Sequence, residues 1–261
     1  MPELPEVETI VRGLAPRLAG RRILAAEFRC ARIVHGAPEK IVGKKIQSVR
    51  RHGKFIVIEF SDSSASLGIH LGMTGKLLLN GELGPHSHAI ITLDRGTLVY
   101  DDPRQFGRIE LSDEFAARIA KLGPDPLAID SKSFVSLLRA RKALVKPLLL
   151  NQNFLRGMGN IYTDEALHRA GIHPRALASR LNRERAARLY DAIQEVLIES
   201  IEKGGSSVSD YVDSDGRRGD FQTRHRVYGK EGDPCPVCKT PIRRILVGQR
   251  GTHFCPKCQK R

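Results

Sequence analysis

Residues 1–20 read Met1-Pro2-Glu3-Leu4-Pro5-Glu6-Val7-Glu8-Thr9-Ile10-Val11-Arg12-Gly13-Leu14-Ala15-Pro16-Arg17-Leu18-Ala19-Gly20. Leu4, Val7, Ile10, Val11, Leu14 and Leu18 recur at helical spacing and share one face, and Gly20 supplies a stop. The spacing predicts a helix over 4–18 that anchors the terminus on a core. Pro5 suits the first helical turn and the glutamates suit its positive end. A second reading is compatible with the first. Removal of Met1 before so small a neighbour leaves Pro2 with a free secondary amine. Its reference pKa, near ~8 against ~10.4 for lysine, makes it roughly a hundredfold more nucleophile-ready at neutral pH. Glu3 and Glu6 stand close enough for one to protonate a leaving group while the other holds the amine in place.

Beyond the helix the pattern changes. Runs over 23–34, 46–60, 66–79 and 88–100 are strand-like, several of them alternating. Turn signals at Asp62-Ser63-Ser64, Asn80-Gly81 and Asp94-Arg95-Gly96 divide them, which predicts an antiparallel β domain, sandwich or barrel, with the first helix packed on it. Residues 121–130, with Gly123-Pro124-Asp125-Pro126, read as a linker. Helical patterns follow at 134–140, 145–151, 161–170 and 183–203. Residues 206–232 are polar and glycine-rich, longer than a connector in a compact protein needs, and such a loop is either a substrate lid or a mobile segment.

The 261 residues allow two cored domains, and a net charge of +14 points to a polyanion. A membrane surface is the weaker candidate, because no apolar run approaches the roughly 20 residues that span a bilayer and no lipidation or signal motif stands at the start. The expected location is therefore cytoplasmic. Cys30 lies in an apolar run and reads as a buried thiol. The other four cysteines form Cys235-Pro236-Val237-Cys238 and Cys255-Pro256-Lys257-Cys258, two knuckles with a hairpin's length between them. That spacing fits one structural four-thiolate zinc, with a redox pair as the alternative.

Four further stretches suit nucleic acid. Arg50-Arg51-His52-Gly53-Lys54 clusters cations ahead of a strand, where Lys54 is placed either for phosphate contact and proton transfer or merely at a solvated strand end. Met73, within His70-Leu71-Gly72-Met73-Thr74-Gly75, and Phe106, within Asp102-Pro103-Arg104-Gln105-Phe106-Gly107, are glycine-flanked. They read either as core or as wedges for a base stack, with Arg104 between them to hold a base. Asn160, at the head of the helix over 161–170, is either its N-cap or a phosphate contact.

With these residues in view, the chain resembles the formamidopyrimidine-DNA glycosylases, bacterial enzymes that remove oxidised purines. MPELPEVET at 1–9, Leu71-Gly72-Met73-Thr74-Gly75, Asp102-Pro103-Arg104, Gly159-Asn160-Ile161-Tyr162 and the four-cysteine finger come in the family's order. The resemblance implies an α+β protein in four parts: an antiparallel β-sandwich catalytic domain with a packed N-terminal helix (1–120), a linker (121–131), a helix-two-turn-helix domain with a lesion-recognition loop (132–230) and a zinc finger (231–261). It implies a monomer that binds duplex DNA containing oxidised bases or abasic sites in the cleft between its domains. Pro2 is then the Schiff-base nucleophile, Glu3 its acid partner, Lys54 a phosphate contact and proton donor for β-elimination, and Arg250 the finger residue of δ-elimination. Met73, Arg104 and Phe106 fill the duplex after the damaged base turns out, Arg104 reading the opposite cytosine. His86, Lys142 and Asn160 contact the backbone, and the loop over 215–228 closes on the base. Gln105 stands where the family commonly has a second arginine. A sister activity on oxidised pyrimidines and a catalytically silent damage-binding protein are the competing readings.

Overall fold

The structure, a computed structural model, describes residues 1–261, the side chain of Asp113 excepted. The chain forms two compact units, Met1–Lys121 with Ile201–Gln222, and Leu122–Ser200 with Thr223–Arg261.

In the first unit, α1 (Leu4–Leu18) buries Leu4, Val7, Ile10, Val11, Leu14 and Leu18, the face that the spacing predicts. It stops where Gly20 takes a left-handed φ of 82° and donates its N–H to Ile46 O at 2.8 Å. Nine strands follow: β1 (Ile23–Phe28), β2 (Val34–Gly36), β3 (Ile46–His52), β4 (Phe55–Phe60), β5 (Ser63–His70), β6 (Lys76–Leu79), β7 (Ser87–Leu93), β8 (Thr97–Asp101) and β9 (Arg108–Leu111). They pair as a four-stranded sheet in the order β1-β7-β8-β6 and a five-stranded sheet in the order β2-β9-β5-β4-β3. Val49, Ile56, Ile58, Leu67 and Ile69 of one sheet and Leu77, Ala89, Ile91 and Leu98 of the other close on a core shared with α1.

Two of the strand-like runs prove to be hairpins. The run over 46–60 folds back at Gly53, φ 62°, and the run over 88–100 at residues 94–96, where Leu93 N donates to Gly96 O at 3.0 Å. Ser63 and Ser64, expected in a turn, open β5. The pairing is antiparallel except between β2 and β9, which run parallel. A helix absent from the sequence expectations, α2 (Asp113–Ala120), begins at Ser112, whose hydroxyl accepts the Phe115 N–H at 3.2 Å. Phe115 occupies the space a side chain on Gly68 of β5 would need, so α2 covers the second face of β5. Glu110, 3% exposed, ties β9 to this helix. Burial alone would raise its pKa, but hydrogen bonds from Arg118, Arg108 and Ser112 outweigh it and hold the carboxyl at about 2.

The second unit contains α3 (Ser131–Arg139), α4 (Val145–Leu150), α5 (Asn160–Arg169) and most of α6 (Arg183–Glu202), then the hairpin β10 (Arg243–Val247) and β11 (Arg250–Phe254). Asp130 caps α3 by accepting the Ser133 N–H at 2.9 Å. Glu165 of α5 is fully buried, and its carboxylate accepts the N–H groups of Arg226, Val227 and Tyr228 at 2.9, 3.0 and 2.9 Å. That nest of donors fixes the point at which the chain re-enters this unit. No helix among the described residues is long and apolar enough to cross a membrane.

Candidate active site and nucleic-acid interface

At the head of the first unit Met1 is 49% exposed, whereas Pro2 and Glu3 are buried. Glu6, one helical turn on and 2% exposed, divides its carboxylate between two backbone donors: Oε2 accepts Glu3 N at 2.8 Å and Oε1 accepts Ser206 N at 2.7 Å. The two glutamates close a capping box: Glu6 holds the backbone beside Pro2, and the Glu3 side chain accepts the Glu6 N–H in return. Lys54 follows Gly53 in the tight β3–β4 turn, where its charge acts on His70. Burial first, then the charges of Lys54 and Arg118, bring the His70 pKa down to about 4, so the ring is neutral at physiological pH. Its Nδ1 accepts Gly72 N–H at 3.1 Å, which places the proton on Nε2 as a donor. His70, Phe55, Phe106, Arg108 and Arg118 line a hollow of about 370 Å³. His70 thus links the neighbourhood of Lys54 to the Phe106 loop, a role the sequence did not single out.

Met73 and Phe106 are 41% and 49% exposed, which rules out the core reading for both. Their loops are fastened together. Gly72, φ 60°, lies against the Phe106 backbone so closely that a Cβ there would sit 2.4 Å from Phe106 C. Beneath them Asp102, 0% exposed, accepts Thr74 Oγ1 at 2.6 Å from one loop and Gly107 N at 2.8 Å from the other, with Tyr100 Oη at 3.3 Å. Arg104 reaches back over the Phe106 ring at 4.7 Å, and Gln105 adopts a left-handed φ of 54° to make the turn. His86 is exposed; its carbonyl accepts Asp102 N at 3.0 Å, so it borders the same assembly. Asp102→Ala strips Thr74 and Gly107 of the buried acceptor that joins them, and a loss on the order of 3 kcal/mol is expected in urea denaturation. An unchanged midpoint would contradict this role.

In the second unit Gly159, not Asn160, caps α5. The Asn160 side chain turns instead to the hairpin, donating Nδ2–H to Gly251 O at 2.9 Å, while its Oδ1 is buried without a partner in the protein. Lys146, fully buried, donates to Asp164 Oδ1 at 2.6 Å and to Gly251 O at 3.2 Å, and Asp164 Oδ2 accepts His253 N at 2.8 Å. This buried pair seats β11 on the helices. The hairpin turns on Gly248-Gln249, with φ 57° and 60°, the geometry of a type I′ turn, and Arg250 opens β11 exposed. Lys142 is exposed on the approach to α4.

The four cysteine sulfurs lie within 4.8 Å of one another, Cys235 to Cys258 at 3.8 Å and Cys238 to Cys255 at 3.4 Å. Zinc–sulfur bonds of ~2.3 Å in a tetrahedron put sulfurs about 3.8 Å apart, so the residues fit one structural zinc with all positions filled. His168 of α5, unremarked in the sequence, places Nε2 3.4 Å from Cys235 Sγ, an outer contact of the kind that orients a metal ligand.

Known families match this chain in three consecutive blocks: the formamidopyrimidine-DNA glycosylase N-terminal domain at residues 1–109, its H2TH domain at 122–212, and the zinc finger found in FPG and IleRS at 232–261. The chain belongs to the formamidopyrimidine-DNA glycosylase family. A formamidopyrimidine-DNA glycosylase from Solibacter usitatus is 61% identical over 266 residues, covering 100% of both chains. A mutant FPG of Lactococcus lactis, solved in complex with a Fapy-dG-containing DNA, is 38% identical at a TM-score of 0.90, covering 100% of both chains. MutM in complex with carbocyclic 8-oxo-G-containing DNA is 39% identical at 0.89, again over 100% of both.

Proposed function

We propose that this glycosylase excises 8-oxoguanine and formamidopyrimidines from duplex DNA through a Pro2 Schiff base, then cleaves the abasic strand by β,δ-elimination. The observation that carries the reading is the fixed terminus: Pro2 and Glu3 are buried at the head of α1, and Glu6 holds the backbone there through the N–H groups of Glu3 and Ser206. Relatives crystallised with Fapy-dG and 8-oxo-G DNA support the choice of lesion.

The net charge of +14 draws the duplex in, with affinity that falls steeply with salt. Met73 and Phe106 enter the stack as the damaged nucleotide leaves it, a step that costs a few kcal/mol and less for a weakened base. Arg104 takes the place beside the opposite cytosine. Once Met1 is gone, the Pro2 nitrogen lone pair forms a bond to C1′ as the glycosidic bond breaks and the purine departs with its electrons. The nitrogen then gives up its proton, Glu3 protonates the sugar ring oxygen as the C1′–O4′ bond breaks, and the nitrogen lone pair closes onto C1′ to make an iminium. The iminium draws electrons from C2′, whose proton is then removed while the C3′–O bond breaks, releasing the 3′ phosphate. Lys54 holds a phosphate and moves a proton in this step. Arg250 serves the second elimination, which breaks the C5′–O bond, and His86, Lys142 and Asn160 hold the backbone. The protein acts as a monomer, in the cytoplasm with the DNA.

Borohydride trapping on duplexes with 8-oxoguanine opposite cytosine, alongside dihydrouracil duplexes, tests this directly. A covalent band on the first, with Met1 absent by mass, is expected. A stronger band on dihydrouracil would reassign the substrate to oxidised pyrimidines, and no band on either would leave a damage-binding protein.

A further inference from the structure

Helix α1 carries a glycine in its middle, Gly13, where alanine would stabilise the helix. The reason lies across from it. A Cβ on Gly13 would stand 2.5 Å from Ser214 Oγ, so the Ser214 hydroxyl occupies the space that Gly13 leaves. Arg17, one turn further on, closes over that seat. Its Nε donates to Gly13 O at 2.7 Å, Nη2 to Ser214 Oγ at 2.6 Å and Nη1 to Asp215 Oδ1 at 2.5 Å. The turn it grips is itself shaped for the purpose. Asp213 Oδ1 accepts the N–H groups of Asp215 and Arg217 at 2.8 and 2.9 Å, Gly216 has φ 79°, and Ser214 O accepts Leu79 N at 3.0 Å.

The other end of the segment is tied to the same helix. Glu6 takes Ser206 N, Tyr211 Oη donates to Glu6 O at 3.3 Å, and Ser207 Oγ accepts Gly219 N at 2.9 Å. From Glu6 to Arg17 is about 16 Å along the axis. The helix that bears the prospective amine at one end is therefore a splint for the first half of the polar loop, fastened at both ends. The Glu6 tie belongs to the reacting terminus. The Arg17 clasp has no part in bond making.

The geometry points to Arg17 as a positioning residue for base selection: by clasping Ser214 and Asp215 to α1, it sets the loop that meets the extruded base in register with the nucleophile. This deepens the function proposed above and rests on it. A base-free abasic site does not need that register, whereas an intact lesion does.

The full-length zinc protein is compared with Arg17→Met, Arg17→Lys and Gly13→Ala. Three readouts are taken: amide exchange over 206–219, single-turnover excision on an 8-oxoguanine duplex, and strand cleavage at a preformed abasic site. Arg17→Met is expected to speed exchange and slow excision by about tenfold each, the scale of losing charge-assisted bonds on a part-exposed side chain, with abasic cleavage within about twofold. Arg17→Lys, which keeps the charge but not the fork, should fall between. Gly13→Ala should raise helix stability yet reproduce the excision defect, which separates loss of register from loss of folding. Wild-type excision in Arg17→Met, or equal loss of excision and abasic cleavage, would overturn the role. A wild-type protein that cannot be trapped on DNA would instead overturn the Pro2 reading, a failure visible without any Arg17 variant and with the exchange result intact.

Discussion

A Pro2→Gly protein, its processed terminus verified by mass, is expected to lose covalent trapping on the 8-oxoguanine duplex by at least about a hundredfold. Glycine keeps an amine at the same place in the sequence, so the comparison isolates what proline adds. A secondary amine has no N–H left once it has bonded to C1′ and lost its proton, and the adduct is a permanent cation; the imine from glycine must be protonated to do the same work. Proline also fixes φ, and the residue is buried and followed at once by the Glu3 N–H held on Glu6. A more flexible residue there would misplace the nucleophile even if it formed the imine, and small misplacements of reacting atoms have effects of this size. Trapping at the wild-type rate would remove Pro2 from the mechanism.

Removal of zinc should have the largest structural effect. The finger's own apolar cluster consists of Val227, Cys235, Ile242 and Cys255, with Cys238 and Cys258 packed against it, too small a core to fold without a cross-link. Binding energies of roughly 10–16 kcal/mol are typical of structural zinc in such elements, and that energy is folding energy. One zinc per chain is expected by elemental analysis. Chelation, or Cys255→Ser, should collapse amide protection across β10 and β11 and carry Arg250 out of place with it. DNA affinity should fall by at least about a hundredfold, a loss of some 3 kcal/mol. Slow exchange persisting through the hairpin after the metal is gone would show that the contacts of Lys146, Asp164 and Asn160 suffice to hold it.

The contrast between legible and hidden features follows the range of the interactions. Helix α1 was readable to its last residue because its apolar face repeats locally and Gly20 stops it. The cysteine knuckles were readable because a metal imposes spacing within a few residues. Helix α2 is harder to read: its local signals, the Ser112 cap and the buried i, i+4 pair Phe115 and Ile119, cover only two turns, and what seats it is Phe115 filling the space above Gly68, a partner 47 positions away. The parallel β2–β9 pair is hidden for the same reason, joining segments more than 70 residues apart. Within the candidate site, Met73 and Phe106 stood out as large apolar residues in loops with glycines, open to a core or a wedge reading until their exposure decided it. Asp102 gave no such signal, because a buried carboxylate that organises two loops looks in sequence like any polar turn residue. The return of 201–222 to the first unit was likewise invisible, depending as it does on Glu6 and Arg17 meeting backbone and hydroxyl groups some 200 residues later.

The Met73 and Phe106 loops share the Asp102 carboxylate, and their backbones touch at Gly72, so a shift of one loop disturbs the support of the other. On the function proposed above, a protein that carries both side chains on one joined support would press them against the stack of the duplex together. The variable that differs from one site to the next is then the cohesion of the helix itself. A pair weakened by oxidation parts under a thrust that an intact pair resists, so sorting of damaged from sound sequence begins in the mechanics of the DNA, before any atom of the lesion is read.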